Sequence, residues 1–173
     1  MSERQVRVYT VDFKLGTIFA AESEKGLCAL TLPQSSGRDF ALLLDRRAPG
    51  ARTLPVEPQE TLSGRQLLAY LEGRGQSLDA PVDLEGLTGF ARAVMERVRA
   101  IPYGQTRSYG RIAQEAGRPG AARAVGQVMH HNPVPLFVPC HRVVGAGGAL
   151  TGFGAGLPTK EALLELERGG RLF

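Results

Sequence analysis

Between Asn132 and Val144 the chain reads Asn-Pro-Val-Pro-Leu-Phe-Val-Pro-Cys-His-Arg-Val-Val, and the three prolines in it constrain the fold more than any other feature. Each proline fixes its own φ, removes a backbone donor and biases the preceding residue away from helical conformation. No helix can run through this segment, and it is predicted to take an extended path up to Cys140. A cysteine followed by histidine and arginine is expected to sit in positive potential, which lowers a thiol pKa and raises the thiolate fraction. The thiolate is the useful nucleophile. A Cys-His pair alone is a weak signal, because a lone cysteine is commonly a small buried apolar residue. That reading suits Cys28, which lies between Leu27 and Ala29 in an apolar run.

The N-terminal part reads as strands. Val6–Val11, Thr17–Ala20 and Leu27–Leu32 are rich in β-branched and apolar residues, with turn-like residues 22–26 between the last two. Phe40–Leu44 fits a buried strand or part of a helix. Residues 46–58 hold three prolines and read as a loop. A helix is expected from about Pro58 to Glu72, closed by Gly73-Arg74-Gly75. Residues 76–87 lack periodicity, so a boundary is expected there, giving domains 1–83 and 84–173.

Beyond it the pattern turns helical. Phe90, Val94, Val98 and Ile101 form one stripe, and Pro102 stops it. Ser108 is a candidate N-cap for a short helix with Tyr109, Ile112, Ala113 and Ala116 on one face. Gly117-Arg118-Pro119-Gly120 breaks the chain before a second helix, from Ala121 to His131. Two short helices joined by a tight glycine-bearing turn are the pattern of a helix-turn-helix. On the second helix Ala121, Ala124, Val125, Val128 and Met129 share the apolar side, and Arg123, Gly126, Gln127 and His130 share the other. A glycine inside a helix costs about 1 kcal/mol against alanine, but on an outward face it lets another backbone come close. Arg123, on that face, could reach into a duplex.

Charge points the same way. Residues 1–83 carry 10 Lys/Arg against 11 Asp/Glu, residues 84–173 carry 11 against 6, and the seven arginines from Arg97 to Arg142 meet one acid, Glu115. A basic half joined to a neutral half suggests a polyanion partner, although a solvated charged face would look alike. In the last predicted helix, Thr159 to Arg168, Glu167 shares a side with Leu163. A carboxylate on an inward edge needs a partner, and the imidazole of His141 is a candidate.

Several classes are disfavoured. Two cysteines make no disulfide framework. His130, His131 and His141 show no zinc spacing with them, so no metal is expected. No apolar run is long enough for a membrane span, and Met1-Ser2-Glu3-Arg4 lacks the apolar stretch of a secretory signal. The expected location is the cytoplasm, or the nucleus in a host that has one.

Ile101-Pro102-Tyr103-Gly104-Gln105, Ser108-Tyr109, Ala121-Ala122-Arg123-Ala124-Val125-Gly126, Asn132-Pro133 and above all Pro139-Cys140-His141-Arg142-Val143-Val144 resemble the O6-alkylguanine-DNA alkyltransferase family. The likeness covers about residues 88–168. It implies an α+β chain, with an N-terminal ribonuclease H-like α/β domain followed by a helical, winged-helix-like DNA-binding domain. It implies stoichiometric, irreversible transfer of an alkyl group from O6-alkylguanine, and from O4-alkylthymine, to Cys140 after base flipping, with no cofactor. His141 would take the thiol proton through a water, Glu167 would orient His141, and Asn132 would hold the active-site turn. Tyr109 would meet the target phosphate and supply a proton to the departing guanine. Arg123 would fill the space left by the flipped base, and Ala122, Gly126 and Gln127 would lie against the minor groove. The carbonyls of Cys140 and Val143 would accept from the guanine amine. Val143, Phe153, Gly154 and Pro135 would line the alkyl pocket. Phe153 and Gly154 depart from the tyrosine and serine of some members, implying a roomier, more apolar wall. The implied partner is double-stranded DNA carrying the lesion, bound by a monomer away from any membrane.

Three other readings compete. A non-catalytic alkyltransferase-like lesion binder would lack the cysteine. A thiol-sensing helix-turn-helix regulator would need a dimerisation element, and none is visible. A cysteine hydrolase would use Cys140, His141 and Glu167 but would leave the basic helices without purpose.

Overall fold

The computed structural model describes residues 4–172. Met1, Ser2 and Glu3, on which the reading of the N-terminus partly rests, lie outside the described residues, as does Phe173. The chain is a mixed α+β protein that divides into two compact units, the first ending at Asp83 and the second spanning Leu84–Arg171; Leu172 belongs to the first.

The first unit is built on a four-stranded sheet in the order β3-β2-β1-β4. Strands β1 (Gln5–Phe13), β2 (Gly16–Ser23) and β3 (Gly26–Thr31) form an antiparallel meander. Gly26 has φ +129°, and a Cβ there would lie 2.3 Å from the carbonyl oxygen of Pro81, so the start of β3 accepts no side chain. The chain near Pro81 docks there: Leu27 N donates to Pro81 O at 2.8 Å and Asp83 N to Leu27 O at 2.8 Å.

Phe40–Leu44 is helical, inside α1 (Gly37–Arg47). Ser36 and Asp39 close a capping box at its start, and Arg46 and Arg47 fall in its last turn, where cations suit the helix dipole. Phe40 is the residue it buries, against a core of Val6, Ala21, Cys28, Ala29 and Ala48.

The predicted loop 46–58 contains a strand. β4 (Arg52–Pro55) pairs in parallel with β1 at the sheet edge. All four residues are exposed, so no alternation of apolar and polar residues marks it, and Pro55 is tolerated at an edge. The helix expected from Pro58 is a 3-10 turn, Pro58–Glu60, followed by α2 (Leu62–Leu71), which Thr61 caps.

In the second unit α3 (Gly89–Arg99) is capped by Thr88 and buries Val94, Met95 and Val98. Phe90 is half-buried, with the guanidinium of Arg118 4.6 Å from its ring centre. Ser108 caps α4 (Tyr109–Glu115), and α5 (Ala122–His130) follows a turn in which Gly117 and Gly120 both have positive φ. A two-residue parallel ladder joins β5 (Arg107–Ser108) to β6 (Val143–Val144), and α6 (Leu157–Glu167) closes the unit. Among the described residues no helix is long and apolar enough to cross a membrane.

Candidate active site

The proline-rich segment is not extended. It folds back on itself: Val138 N donates to Val134 O at 3.0 Å around Leu136, whose φ is +72°. Prolines exclude a helix but also favour turns, and the local hydrogen bonds decide for the turn. Asn132 fastens it from within, donating from Nδ2 to Val138 O at 2.8 Å and accepting at Oδ1 from Val134 N at 3.0 Å. Cys140 then opens a single 3-10 turn, Cys140–Arg142, that runs into β6.

This turn separates the side chains of three consecutive residues. Cys140 is 7% exposed. His141 Nε2 lies 2.7 Å from Glu167 Oε1. Arg142 grips the same carboxylate, with Nε 2.9 Å from Oε2 and Nη2 2.9 Å from Oε1, and its Nη1 donates to Ile101 O at 2.6 Å. Gly104 N donates to Glu167 Oε2 at 3.0 Å. Gly104 has φ +76°, which turns the chain after Pro102 so that its N–H meets the carboxylate.

The electrostatics overturn the expectation that neighbouring cations activate the thiol. Burial is the largest influence on Cys140 and pushes its thiol pKa up; the Asn132 side chain, the charge of Lys160 and nearby backbone N–H groups pull it down. Arg142 is spent on Glu167. Burial also holds the His141 pKa below the ordinary histidine value, against the opposing pull of Glu167. A neutral imidazole next to an acceptor-only carboxylate carries its proton on Nε2, leaving Nδ1 as the basic nitrogen.

A second cluster gathers around Lys160, which is 0% exposed. Its Nζ donates to Val143 O at 2.6 Å and to Thr151 O at 3.1 Å, and lies 5.8 Å from the ring centres of both Tyr109 and Phe153. The Tyr109 hydroxyl reaches the carbonyls of Thr151 at 3.4 Å and Gly152 at 3.5 Å. Burial raises the Tyr109 pKa, so its proton is held.

Cys140, His141, Glu167 and Asn132 thus meet around one turn, and Tyr109, Val143 and Phe153 meet around Lys160. Pro135 is buried in the active-site turn, where it bridges Val138. Nothing lies within 4 Å of where a Cβ on Gly154 would stand. On α5, Arg123 and Gln127 are exposed, and Ala122 and Gly126 are half-buried. Gly126 faces the edge of Tyr109, with a Cβ there 4.0 Å from its ring. Among the described residues no group of three metal-ligating side chains occurs.

Residues 89–169 match the family described as 6-O-methylguanine DNA methyltransferase, DNA binding domain. A methylated-DNA–protein-cysteine methyltransferase of Mycolicibacterium paratuberculosis is 47% identical over 139 residues, covering 77% of this chain and 84% of the relative. The chain belongs to the methylated-DNA–protein-cysteine methyltransferase family. An inducible member from Bacillus subtilis is 38% identical over 158 residues, covering 90% of this chain and 87% of its own. A solved structure of Mycobacterium tuberculosis OGT in complex with DNA has a TM-score of 0.78 at 38% identity, covering 96% of each chain.

Two site residues of this family member escape a reading by residue type. Lys160 reads as a surface lysine, yet it stands three, four and seven residues before Leu163, Leu164 and Glu167, on the inward stripe of α6. Arg142 lies within the cysteine motif, but its partner is 25 residues away in sequence, and only the fold brings the two together.

Proposed function

We propose that this chain repairs DNA by moving the alkyl group of O6-alkylguanine, and of O4-alkylthymine, onto Sγ of Cys140, once per chain and irreversibly. The observation that carries the reading is the buried acid–base pair beside the cysteine, His141 Nε2 at 2.7 Å from Glu167 Oε1. The family to which the chain belongs supports the activity, DNA repair by alkyl transfer to cysteine.

In the reaction the Cys140 proton passes through a bridging water to Nδ1 of His141, which Glu167 keeps oriented as an orienter does in a hydrolase triad. The thiolate attacks the alkyl carbon. A carbon–sulfur bond forms, the carbon–O6 bond breaks, and its electron pair stays on the purine. Tyr109 supplies a proton to the departing guanine, and the proton lost by the thiol balances it. The atoms balance without a cofactor. Water cannot displace a thioether, so the chain is spent.

The lesion must leave the stack first, at a cost of about a few kcal/mol that is smaller for a badly paired base. Helix α5 enters the minor groove, where Ala122, Gly126 and Gln127 permit close approach and Arg123 inserts to hold the gap. Arginines of the second unit contact phosphates without reading sequence. Tyr109 gives up Thr151 and Gly152 to meet the target phosphate. The Cys140 and Val143 carbonyls accept from the guanine amine. Each already accepts one donor, Val143 N–H and Lys160 Nζ respectively, and a carbonyl has room for a second. Val143, Phe153, Gly154 and Pro135 form the alkyl pocket, made roomy by the open space at Gly154.

The unit before Leu84 is read as a ribonuclease H-like domain, 1–83, from its meander, crossover helix and parallel edge strand. The rest, 84–173, is read as a winged-helix-like domain from α4, α5 and the β5/β6 ladder. The protein acts as a cytoplasmic monomer.

A duplex with O6-methylguanine inside a methylation-blocked restriction site tests the function. Cleavability should return in proportion to protein, up to one site per chain, and Cys140→Ala should restore none. Restoration of many sites per chain would instead make the protein a turnover enzyme such as a hydrolase.

A further inference from the structure

We propose that Lys160 is the counter-ion of the Cys140 thiolate, and so a positioning residue for the transfer. This rests on Cys140 being the alkyl acceptor. The side chain is fully buried in the second unit, and its ammonium is held between the active-site strand at Val143 O and the pocket loop at Thr151 O, beside the Tyr109 and Phe153 rings. Taking an ammonium out of water is costly unless an anion or strong acceptors answer it. Two carbonyls and two ring faces are partial answers. Among the described residues no carboxylate pairs with Lys160, and Glu167, farther along the same helix face, is committed to His141 and Arg142.

The acidic groups that interact with the ammonium are therefore not carboxylates. Burial pushes the Lys160 pKa down and the Cys140 thiol pKa up, and against that pressure each group favours the charged form of the other. The groups facing Cys140 are the amide of Asn132 from the active-site turn, Tyr109 from α4, His141 from its own turn and Lys160 from α6. When His141 takes the thiol proton it becomes a cation that shares the Glu167 carboxylate with Arg142. Lys160 has no such commitment, and two of its three ammonium hydrogens go to carbonyls. Its charge is available to the sulfur. Burial raises the thiol pKa and the ammonium pulls against that, so losing the ammonium leaves the thiol harder to ionise. The same contacts fix the loop from Thr151 to Phe153 against β6, which ties the alkyl pocket wall to the charge that drives the reaction.

The test reads the thiol directly, without DNA. Carbamidomethylation of Cys140 by iodoacetamide, followed by intact mass from pH 5 to pH 10, gives its ionisation profile in the wild type, Lys160→Met and Lys160→Arg. The Met variant should move the inflection upward by about one pH unit or more, making the reaction about tenfold slower at pH 7, and the Arg variant should recover most of the loss. Affinity for unmodified duplex should stay within about twofold in all three. A folded Lys160→Met protein with an unmoved inflection overturns the proposal, because a merely structural lysine would change stability and leave the profile in place.

If the Met variant does not fold, the wild type decides. The chain has three lysines, Lys14, Lys25 and Lys160, so its side-chain εCH2 resonances are few enough to follow by NMR. The Lys160 signal should show an inflection at the pH where Cys140 ionises, and Cys140→Ser should remove it. A Lys160 signal that is silent through the thiol titration overturns the proposal. Failure of transfer from a lesion-bearing duplex would overturn the repair function and leave these thiol measurements standing. Intact transfer with an unmoved profile would overturn the counter-ion alone.

Discussion

Nε2 of His141 and Oε1 of Glu167 lie 2.7 Å apart, and neither side chain is more than 1% exposed. The same carboxylate holds the guanidinium of Arg142. One acid therefore performs two tasks: it fixes the tautomer of the base and neutralises a buried cation.

Removing the acid should separate those tasks. Glu167→Gln is expected to slow transfer by about 100-fold or more, the range of a lost general base, with duplex affinity unchanged. Arg142→Ala leaves the carboxylate buried beside a neutral histidine and is expected to cost about 3–5 kcal/mol in urea unfolding. An Arg142→Ala protein as stable as the parent would mean that the pair is not buried as described.

The histidine sets a pH dependence with a definite sign. Burial keeps His141 neutral in the folded chain to a lower pH than in the unfolded chain, where its pKa is about 6.5. Below about 6.5 the unfolded chain takes up the proton first, so this contribution to stability is complete above that pH and is lost as pH falls toward the folded pKa. Urea midpoints measured from pH 7.5 to pH 5 should fall more steeply in the wild type than in His141→Gln. Parallel slopes would remove His141 from the account.

Asn132 makes two hydrogen bonds inside the turn that carries Cys140. Asn132→Ala leaves Val138 O and Val134 N without these partners and is expected to cost about 1–3 kcal/mol. It also removes a group that lowers the thiol pKa, so iodoacetamide labelling of Cys140 should shift to higher pH. Loss of stability with unaltered labelling would confine Asn132 to a structural role.

What could be read in the sequence depended on whether a signal was local. Strands β1 to β3 announced themselves through β-branched runs, and the caps at Thr88 and Ser108 fell where the helical periods began. Strand β4 did not, because Arg52–Pro55 is exposed throughout and is a strand only by pairing with β1. Phe40–Leu44 was ambiguous by composition, and a capping box four residues upstream settled it. At the site, Cys140 and His141 were conspicuous from their motif, and Glu167 was legible from its helix face. The positive potential expected from Arg142 failed because adjacency in sequence is not adjacency of side chains: a 3-10 turn directs Arg142 to Glu167. Lys160 was hidden because lysine usually faces water.

Arg123 is exposed on α5. Arg123→Ala is expected to leave stability within about 0.5 kcal/mol and to lower the transfer rate from a duplex at least tenfold, while the rate with a free modified base stays the same. An equal loss with both substrates would place Arg123 in the chemistry rather than in base flipping.

Intact-mass spectrometry after mixing the protein with a duplex carrying one O6-methylguanine tests the central claim most directly. One methyl group per chain, mapping to Cys140, saturating at that ratio and absent in Cys140→Ala, is the expected result. Tight binding to the lesion with no change in mass, or a methyl group on any other residue, would contradict the account.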